Sequence, residues 1–355
     1  MTLNSEHNLF IGCYGAENAQ SIHAFGFNSD TGELTAKGSF SGIENPSFIF
    51  PHPNGRWLFA VSETGEGSHG RQGAVWALEI QAETLVLKPI NYQSSKGDWP
   101  CHLEIDRTGR WLITTNYGSG NAALYPILDS GALGEMTSLV QHEGSGPNQA
   151  RQEGPHAHSA IFTPDNKFVI VADLGIDQLV IYAFDSDSGS LTKHGAVHTT
   201  PGAGPRHFEF HPNGRILYVA NELNSSVTVY AYDAERGAFE AQQTLSTLTE
   251  ANPENTVADI HISADAKRLY LSNRGDNSIA IFAVDGDGGL TREVIQVYGG
   301  DWPRNFALEP SGRFLLVANQ YSNDISLLSA DSGSTVQGDL ANHVDLNAPA
   351  CIKFL

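Results

Sequence analysis

The chain is poor in positive charge, in cysteine and in long apolar runs, and each shortage argues against a class of protein. It has 20 lysines and arginines against 40 aspartates and glutamates, which gives a formal net charge of −20. Such a charge repels nucleic acid and anionic membranes, so we expect neither as a partner. The three cysteines, Cys13, Cys101 and Cys351, have no short-range spacing. This is typical of a reduced cytoplasmic protein rather than a secreted disulfide scaffold.

No apolar run approaches the roughly 20 residues that a membrane helix needs. The first six residues have neither the basic region nor the apolar region of a signal peptide. We therefore expect a cytoplasmic protein. Hydrophobic residues make up 40% of the chain and charged residues 17%, a balance typical of globular proteins. The 36 glycines and 16 prolines lie at turn-like positions, which indicates many short strands.

One kind of segment recurs along the chain. It starts at a proline or a small apolar residue, here called the lead residue, and runs to a polar turn. Its copies are residues 46–56, 100–110, 157–167, 205–215, 257–267 and 303–313, with a truncated seventh at 349–355. The starts lie about 45–57 residues apart, which is the period of a four-stranded propeller blade. Each copy before the last is followed by an apolar second strand, such as residues 57–61 and 314–318.

The two ends of the chain supply complementary parts of one blade. The last segment provides only a first strand, whereas residues 9–13 match a second strand and residues 21–27 a third. Pairing the ends completes a blade and leaves no sheet edge bare. The sequence therefore predicts an all-β fold: one seven-bladed β-propeller domain spanning residues 1–355, with four-stranded blades, closed by the C-terminal strand pairing with the N-terminal strands.

Polar residues recur at fixed positions of this repeat. The first strand of a blade lines the channel and the second runs antiparallel beside it, so the start of the first and the end of the second share one rim. The position after the lead residue holds Ser47, Cys101, His158, Arg206, Ala258, Arg304 and Ala350, and the next holds Phe48, His102, Ser159, His207, Asp259, Asn305 and Cys351. The second strands end in Ser62, Asn116, Asp173, Asn221, Asn273 and Asn319, followed by Glu63, Tyr117, Leu174, Glu222, Arg274 and Gln320.

Two interpretations compete for these positions. The recurring Asn and Asp residues are expected mainly to cap strands and close turns, because their side chains bond nearby backbone. His158, Arg206, Glu222 and Arg274 are not turn formers and differ from blade to blade. We predict that these four form a site at the channel mouth, the alternative being a solvated rim with incidental charges.

At these residues the chain resembles the lactonase family of propellers, which includes the propeller-form 6-phosphogluconolactonases and the fungal 3-carboxymuconate cyclases. The stretches that carry the resemblance are residues 155–164, 172–177, 204–208, 220–223, 273–275 and 302–306. The resemblance implies a mouth site built from a histidine, a glutamate and arginines. Carried over position by position, these are the same four residues, His158, Arg206, Glu222 and Arg274.

On this basis we expect a hydrolase that opens 6-phosphogluconolactone to 6-phosphogluconate. Its substrate is then a small anionic lactone. We expect that it requires no metal or cofactor. His158 or Glu222 is the candidate general base. Arg206 and Arg274 are the candidates for stabilising the oxyanion or binding the phosphate. The further candidates for substrate binding are His207, Arg304, His156, Asn221 and Asp173.

Several alternatives remain open at this point. One is a lactonising cyclase acting on a carboxylated muconate, and another is a non-catalytic propeller that binds proteins through an exposed apolar patch. A third is a calcium-assisted lactonase that uses the oxygens of Glu63, Asn116, Asp173 and Asn221. The insertions at residues 64–72 and 141–153 either shape the pocket or are surface loops. A monomer and a small homo-oligomer are both consistent with the sequence.

Overall fold

The computed structural model describes residues 5–65, 72–330 and 337–355. Within these ranges the strands form seven four-stranded antiparallel sheets, and each sheet is one blade. The innermost strands of neighbouring blades contact one another all the way round, which closes the blades into a ring about a central channel. No helix in the described part of the chain has the length and apolarity needed to cross a membrane.

The strands are numbered along the chain, and blades 2 to 7 each take four consecutive strands, innermost first. Blade 1 contains β1 (Glu6–Cys13), β2 (Ile22–Asn28) and β3 (Glu33–Phe40), and blade 2 contains β4 (Ile49–Pro51), β5 (Trp57–Ser62), β6 (Ala74–Ile80) and β7 (Leu87–Ser94). Blade 3 contains β8 (Pro100–Ile105), β9 (Trp111–Asn116), β10 (Asn121–Pro126) and β11 (Ser138–Gln141), and blade 4 contains β12 (Ala157–Phe162), β13 (Phe168–Asp173), β14 (Gln178–Asp185) and β15 (Ser190–His198). Blade 5 contains β16 (Pro205–Phe210), β17 (Ile216–Asn221), β18 (Ser226–Asp233) and β19 (Ala238–Ser246), and blade 6 contains β20 (Thr256–Ile262), β21 (Arg268–Arg274), β22 (Ser278–Val284) and β23 (Leu290–Val297). Blade 7 contains β24 (Pro303–Leu308), β25 (Phe314–Asn319), β26 (Asp324–Ser329) and β27 (Gln337–Asp345), and β28 (Pro349–Phe354) joins blade 1.

The strand pattern follows from where each strand lies in its blade. A second strand packs against blades on both sides, and all six residues of β5, β9 and β13 are buried. The outermost strands are mostly exposed, as in β3 and β15. Apolar side chains therefore collect between blades, where they form separate clusters such as the one that joins blades 5 and 6.

The predicted closure is confirmed. Blade 1 has the strand order β28-β1-β2-β3, and Leu9 pairs with Phe354 across the two ends of the chain. Gly12 lies in this junction opposite Cys351. A Cβ atom on Gly12 would lie 2.3 Å from the backbone oxygen of Pro46, so only glycine fits where blade 1 meets blade 2.

A β-bulge at the start of the innermost strand turns the rim residues toward the channel. In blades 3, 4, 5 and 7 the pairing register shifts between the lead residue and the residue two positions later, for example between Ala157 and Ser159 in blade 4. In blade 6 it shifts between Val257 and Ile260. A bulge leaves one residue unpaired and re-aims its side chain. The residues after the lead residues of blades 4 and 5 are His158 and Arg206, so the bulge presents both at the mouth.

A third layer of channel residues lies toward the opposite rim. These side chains come from the fourth position after each lead residue: Phe50, Glu104, Ile161, Glu209, His261, Ala307 and Lys353. A cavity of about 340 Å³, lined among others by Glu104, Glu209, His261 and Lys353, lies on this side of the channel. It reaches inward as far as His102 and His207. These residues are not among the predicted site residues, although strand alternation alone places them on the channel side.

Candidate active site

The centre of the predicted mouth site is the Glu222 carboxylate, which follows β17 and is 4% exposed. Its Oε2 lies 3.0 Å from Nε of Arg206 and 2.8 Å from Nη2 of Arg274. Its Oε1 accepts a hydrogen bond of 2.5 Å from Nη2 of Arg151. The structure therefore brings three guanidinium groups onto one buried carboxylate, two of which the sequence analysis had singled out.

Arg206 and Arg274 are also held by the backbone of β20. Arg206 Nη1 donates to the carbonyl oxygen of Ala258 at 2.7 Å, and Arg274 Nη2 donates to that of Val257 at 3.1 Å. Both side chains are almost fully buried. A guanidinium group carries five N–H donors. Among the described residues, Nη2 of Arg206 and Nη1 of Arg274 make no hydrogen bond within the protein, so both remain able to bind a ligand oxygen.

His158 lies beside this cluster, on the bulge of β12, and is 5% exposed. Its ring centroid is 5.7 Å from that of Tyr117 and 5.2 Å from that of His207, both edge to face. Burial lowers the pKa of His158 well below its ordinary value, and the positive charge of Arg206 and of its neighbours lowers it further. The imidazole is therefore neutral at physiological pH and able to accept a proton.

Glu222 is in the opposite situation. Burial alone would raise its pKa, but Arg274, Arg206 and Arg151 outweigh burial and hold the pKa well below its usual range. Both of its oxygens are also occupied by guanidinium groups, so Glu222 has no free lone pair facing the mouth with which to take a proton from water. Burial and the neighbouring Arg274 lower the pKa of Arg206 to about 9, which leaves it cationic at neutral pH.

A second acidic residue, Glu63, lies across the mouth from Glu222 and binds hydroxyl groups instead of guanidinium groups. Tyr14 donates to its Oε2 at 2.7 Å, and Ser47 donates to the same oxygen. The guanidinium of Arg304 lies over the Tyr14 ring, 5.1 Å from its centroid. Within the described ranges Arg304 has no ion pair or hydrogen bond, and it is partly exposed. It is therefore a cation at the mouth that is available to a ligand.

Arg151 is the residue that the sequence analysis missed. It lies in the insertion at residues 141–153, and its Nη2 is 3.5 Å from the hydroxyl of Tyr117 as well as bonded to Glu222. The Tyr117 ring stacks on His156 with a centroid distance of 4.4 Å. His156 in turn bonds the Tyr117 carbonyl oxygen at 2.9 Å through Nδ1. The insertion therefore forms part of the mouth. The one signal for this in the sequence is an arginine within an insertion of an acidic protein.

Asp173 and Asn221, predicted to bind substrate, have their side chains engaged by other residues of the protein. Asp173 accepts from the backbone N–H of His156 at 2.7 Å and contacts His142 Nδ1 at 2.6 Å. Asn221 donates to the hydroxyl groups of Ser226 and Thr228, both at 3.0 Å. These are the contacts of strand-end caps, and a substrate-binding role for either residue stays a prediction.

The residues proposed for a calcium site are spread over four blades. The carboxylates of Glu63 and Asp173 accept hydrogen bonds within the protein, whereas the side-chain oxygens of Asn116 and Asn221 are buried without a hydrogen bond to any described residue. In the described part of the chain, no group of three or more His, Cys, Asp and Glu residues is arranged to hold a metal ion.

The three cysteines are free and buried. Cys13 and Cys351 lie in blade 1, and Cys101 contacts the backbone of His158.

Comparison with known proteins agrees with this fold over the whole length. The family model described as "Lactonase, 7-bladed beta-propeller" matches residues 8–354. The chain is 32% identical over 348 residues to the 6-phosphogluconolactonase of Bacillus subtilis, covering 98% of this chain and 97% of that one. It is 35% identical over 330 residues to the 6-phosphogluconolactonase of Formosa agariphila, covering 91% and 92%. The solved structure of the Pseudomonas aeruginosa periplasmic gluconolactonase superposes with a TM-score of 0.92 at 29% identity, covering 99% of each chain.

Proposed function

The chain belongs to the lactonase family of seven-bladed β-propellers, and from this membership we propose that it is a hydrolase that opens 6-phosphogluconolactone to 6-phosphogluconate. The choice of this substrate rests on the charge of the mouth. The guanidinium groups of Arg151, Arg206, Arg274 and Arg304 lie around the carboxylates of Glu222 and Glu63, so the centre of the mouth has an excess of positive charge in a chain whose net charge is −20. A phosphate monoester carries a charge of about −1.5 to −2 at neutral pH and matches that excess.

The proposed reaction uses water, His158 and the two buried arginines. Water attacks the lactone carbonyl carbon while His158 takes one of its protons. The negative charge that develops on the carbonyl oxygen is stabilised by the unused N–H groups of Arg206 and Arg274. The C–O bond of the ring then breaks, and the departing ring oxygen takes the proton from His158. The product is an open-chain acid with a new hydroxyl group.

Glu222 supports this reaction without exchanging a proton. Because its pKa is held far below neutrality, it stays a carboxylate and keeps Arg206 and Arg274 in fixed positions. Of the two candidate bases, His158 is therefore the one we propose. Arg304, which has no ion pair or hydrogen bond within the described ranges, and the half-exposed Arg151 are the proposed contacts of the phosphate.

The test is a hydrolysis assay on freshly generated 6-phosphogluconolactone, corrected for its spontaneous opening. We expect turnover well above the uncatalysed rate, with glucono-lactone opened less efficiently because it lacks the phosphate. An Arg304→Ala variant provides a matched comparison, since it should weaken binding of the phosphorylated lactone and leave the unphosphorylated one little affected. Absence of turnover on both lactones, or faster turnover of a carboxymuconate, would refute the proposal.

We also propose that the protein acts in the cytoplasm, as a monomer or small homo-oligomer. The three free, buried thiols support a reducing compartment. Cell fractionation tests the location, and light scattering on the purified protein tests the oligomeric state.

A further inference from the structure

His207 is the channel residue that separates the mouth site from the cavity on the opposite side. It lies on β16, directly after Arg206, and is 7% exposed. Its ring centroid is 5.2 Å from that of His158, 5.4 Å from that of His102 and 6.2 Å from that of Phe48. His207 thus forms the floor of the proposed active site.

The orientation of the His207 ring is fixed by Asp259 of the next blade, whose Oδ1 lies 2.8 Å from Nδ1. Asp259 also accepts from Nε2 of His261 at 3.0 Å and from Nδ2 of Asn305 at 2.5 Å. Burial would raise the pKa of Asp259, but His261 and His207 hold it well below its ordinary value. A carboxylate can only accept hydrogen bonds. Nδ1 of His207 therefore carries the proton, and Nε2 presents a lone pair.

That lone pair has no partner inside the protein. Nε2 of His207 is buried and makes no hydrogen bond with any of the described residues. Buried polar atoms are rarely left unpaired, and those that are commonly belong to functional sites or bind ordered water. The two nitrogens of an imidazole point in nearly opposite directions. Since Nδ1 faces Asp259 in blade 6, Nε2 points away from that blade, and the His158 ring is the nearest of the three rings that flank His207.

Building on the proposed lactonase activity, we propose that Nε2 of His207 binds the water molecule that attacks the lactone carbonyl, and that His158 takes the other hydrogen of the same water. A water molecule held by two acceptors has both O–H bonds fixed, so its lone pairs are free for the carbonyl carbon. One hydrogen passes to His158 and from there to the departing ring oxygen. The other stays on the new carboxyl group, bonded to His207, and is lost to solvent when the acid leaves and ionises.

The electrostatics of the floor suit this role. Burial, and after it the charge of Arg206, lowers the pKa of His207 to about 4. The ring is therefore neutral at physiological pH, and it attracts a hydrogen-bond donor more strongly than it attracts a phosphate. This assigns His207 to the water and leaves the arginines to the anion.

Water has a route to His207 that does not cross the substrate mouth. The cavity of about 340 Å³ on the opposite side of the channel extends to His102 and His207. Its wall includes Glu104 and Lys353, whose polar side chains are compatible with water. The cavity therefore brings water as far as the His207 ring from the side opposite the mouth.

Two substitutions of His207 separate the proposed role from a structural one. In H207N the amide nitrogen takes the place of Nδ1 and keeps the bond to Asp259, but the acceptor at Nε2 is lost. In H207Q the side-chain oxygen reaches the position of Nε2 and accepts a hydrogen bond, but the bond to Asp259 is lost. We expect H207N to lower kcat by about 100-fold, as for loss of a group that holds a reactant in position, with KM changed less than about threefold. H207Q should remain within about tenfold of the original kcat, which is smaller than that loss.

His102 provides the matched control, because it lies in the same layer, is equally buried and has no carboxylate partner among the described residues. H102N should keep kcat within about threefold, well short of the loss expected for a catalytic group, and thermal melting should show both His207 variants folded. The reverse order, with H207Q impaired and H207N active, would show that His207 acts only by bonding Asp259. A loss confined to KM would show that it binds substrate. Original protein that opens no lactone would remove the proposed function and this inference together, whereas active H207N would remove the inference alone.

Discussion

Replacing Glu222 with glutamine removes the negative charge on which three arginines converge and keeps nearly the same shape. The side chains of Glu222, Arg206 and Arg274 are 5%, 3% and 6% exposed, so solvent screens these pairs little. Removing one partner of a buried ion pair typically costs about 3–5 kcal/mol. Glutamine still offers one oxygen to a guanidinium, so we expect the lower end, about 3 kcal/mol. That is a large share of the roughly 5–15 kcal/mol by which most proteins are stable.

The pH dependence of this loss of stability is the more discriminating test. The pKa of Glu222 is depressed in the folded protein, whereas an unfolded glutamate titrates near 4.3. Its stabilising effect is therefore complete above the unfolded value and disappears as the pH falls toward the folded one. The difference in unfolding free energy between the original protein and E222Q should be constant from about pH 6 to 8 and shrink below about 4.3.

Urea denaturation at several pH values measures this difference. Glu63→Gln is the matched control, because Glu63 holds the equivalent position in blade 2 but binds the hydroxyl groups of Tyr14 and Ser47. Its loss of stability should be smaller than that of E222Q, because glutamine keeps an oxygen that both hydroxyl groups can bond and no buried cation is left without its partner. If E222Q is as stable as the original protein at pH 7, or if the difference persists unchanged at low pH, the ion cluster does not stabilise the fold as described.

Three further predictions concern activity. Arg206→Ala and Arg274→Ala should each lower kcat by about 100- to 1000-fold, the usual effect of losing one oxyanion donor, with far-ultraviolet circular dichroism unchanged. Arg304→Ala should raise KM for 6-phosphogluconolactone and spare glucono-lactone, and an equal effect on both lactones would contradict a phosphate contact. Because the pKa of His158 lies well below 6.5 and its neutral form is the base, kcat/KM for glucono-lactone should be flat through neutral pH and fall only well below 6.5. A fall centred at 6.5 or above would exclude His158 as the base in that environment.

The sequence predicts the blades more completely than the site, and the reason is periodicity. Alternation and the recurring lead residue identify the strands, the closure by β28 and the rim positions of His158 and Arg206, because these features repeat in every blade. Arg151 lies in an insertion, where no periodic pattern applies, so its bond to Glu222 depends on the course of a loop. The bulge that turns His158 toward the mouth is also a local register shift with no composition signal of its own.

Strand β16 shows how the channel residues are divided between the two sides of the ring of blades. Along β16, Arg206 serves the mouth, His207 forms the floor and Glu209 lines the opposite cavity, where it contacts His261 at 3.3 Å. The bulge makes the first two consecutive, so the anion-binding and water-binding groups are separated by a single peptide unit. A change at Arg206 should therefore alter charge at the mouth without moving the ring that binds water. In the proposed mechanism the floor and the oxyanion donors serve any lactone, and the choice of the phosphorylated one is left to Arg151 and Arg304.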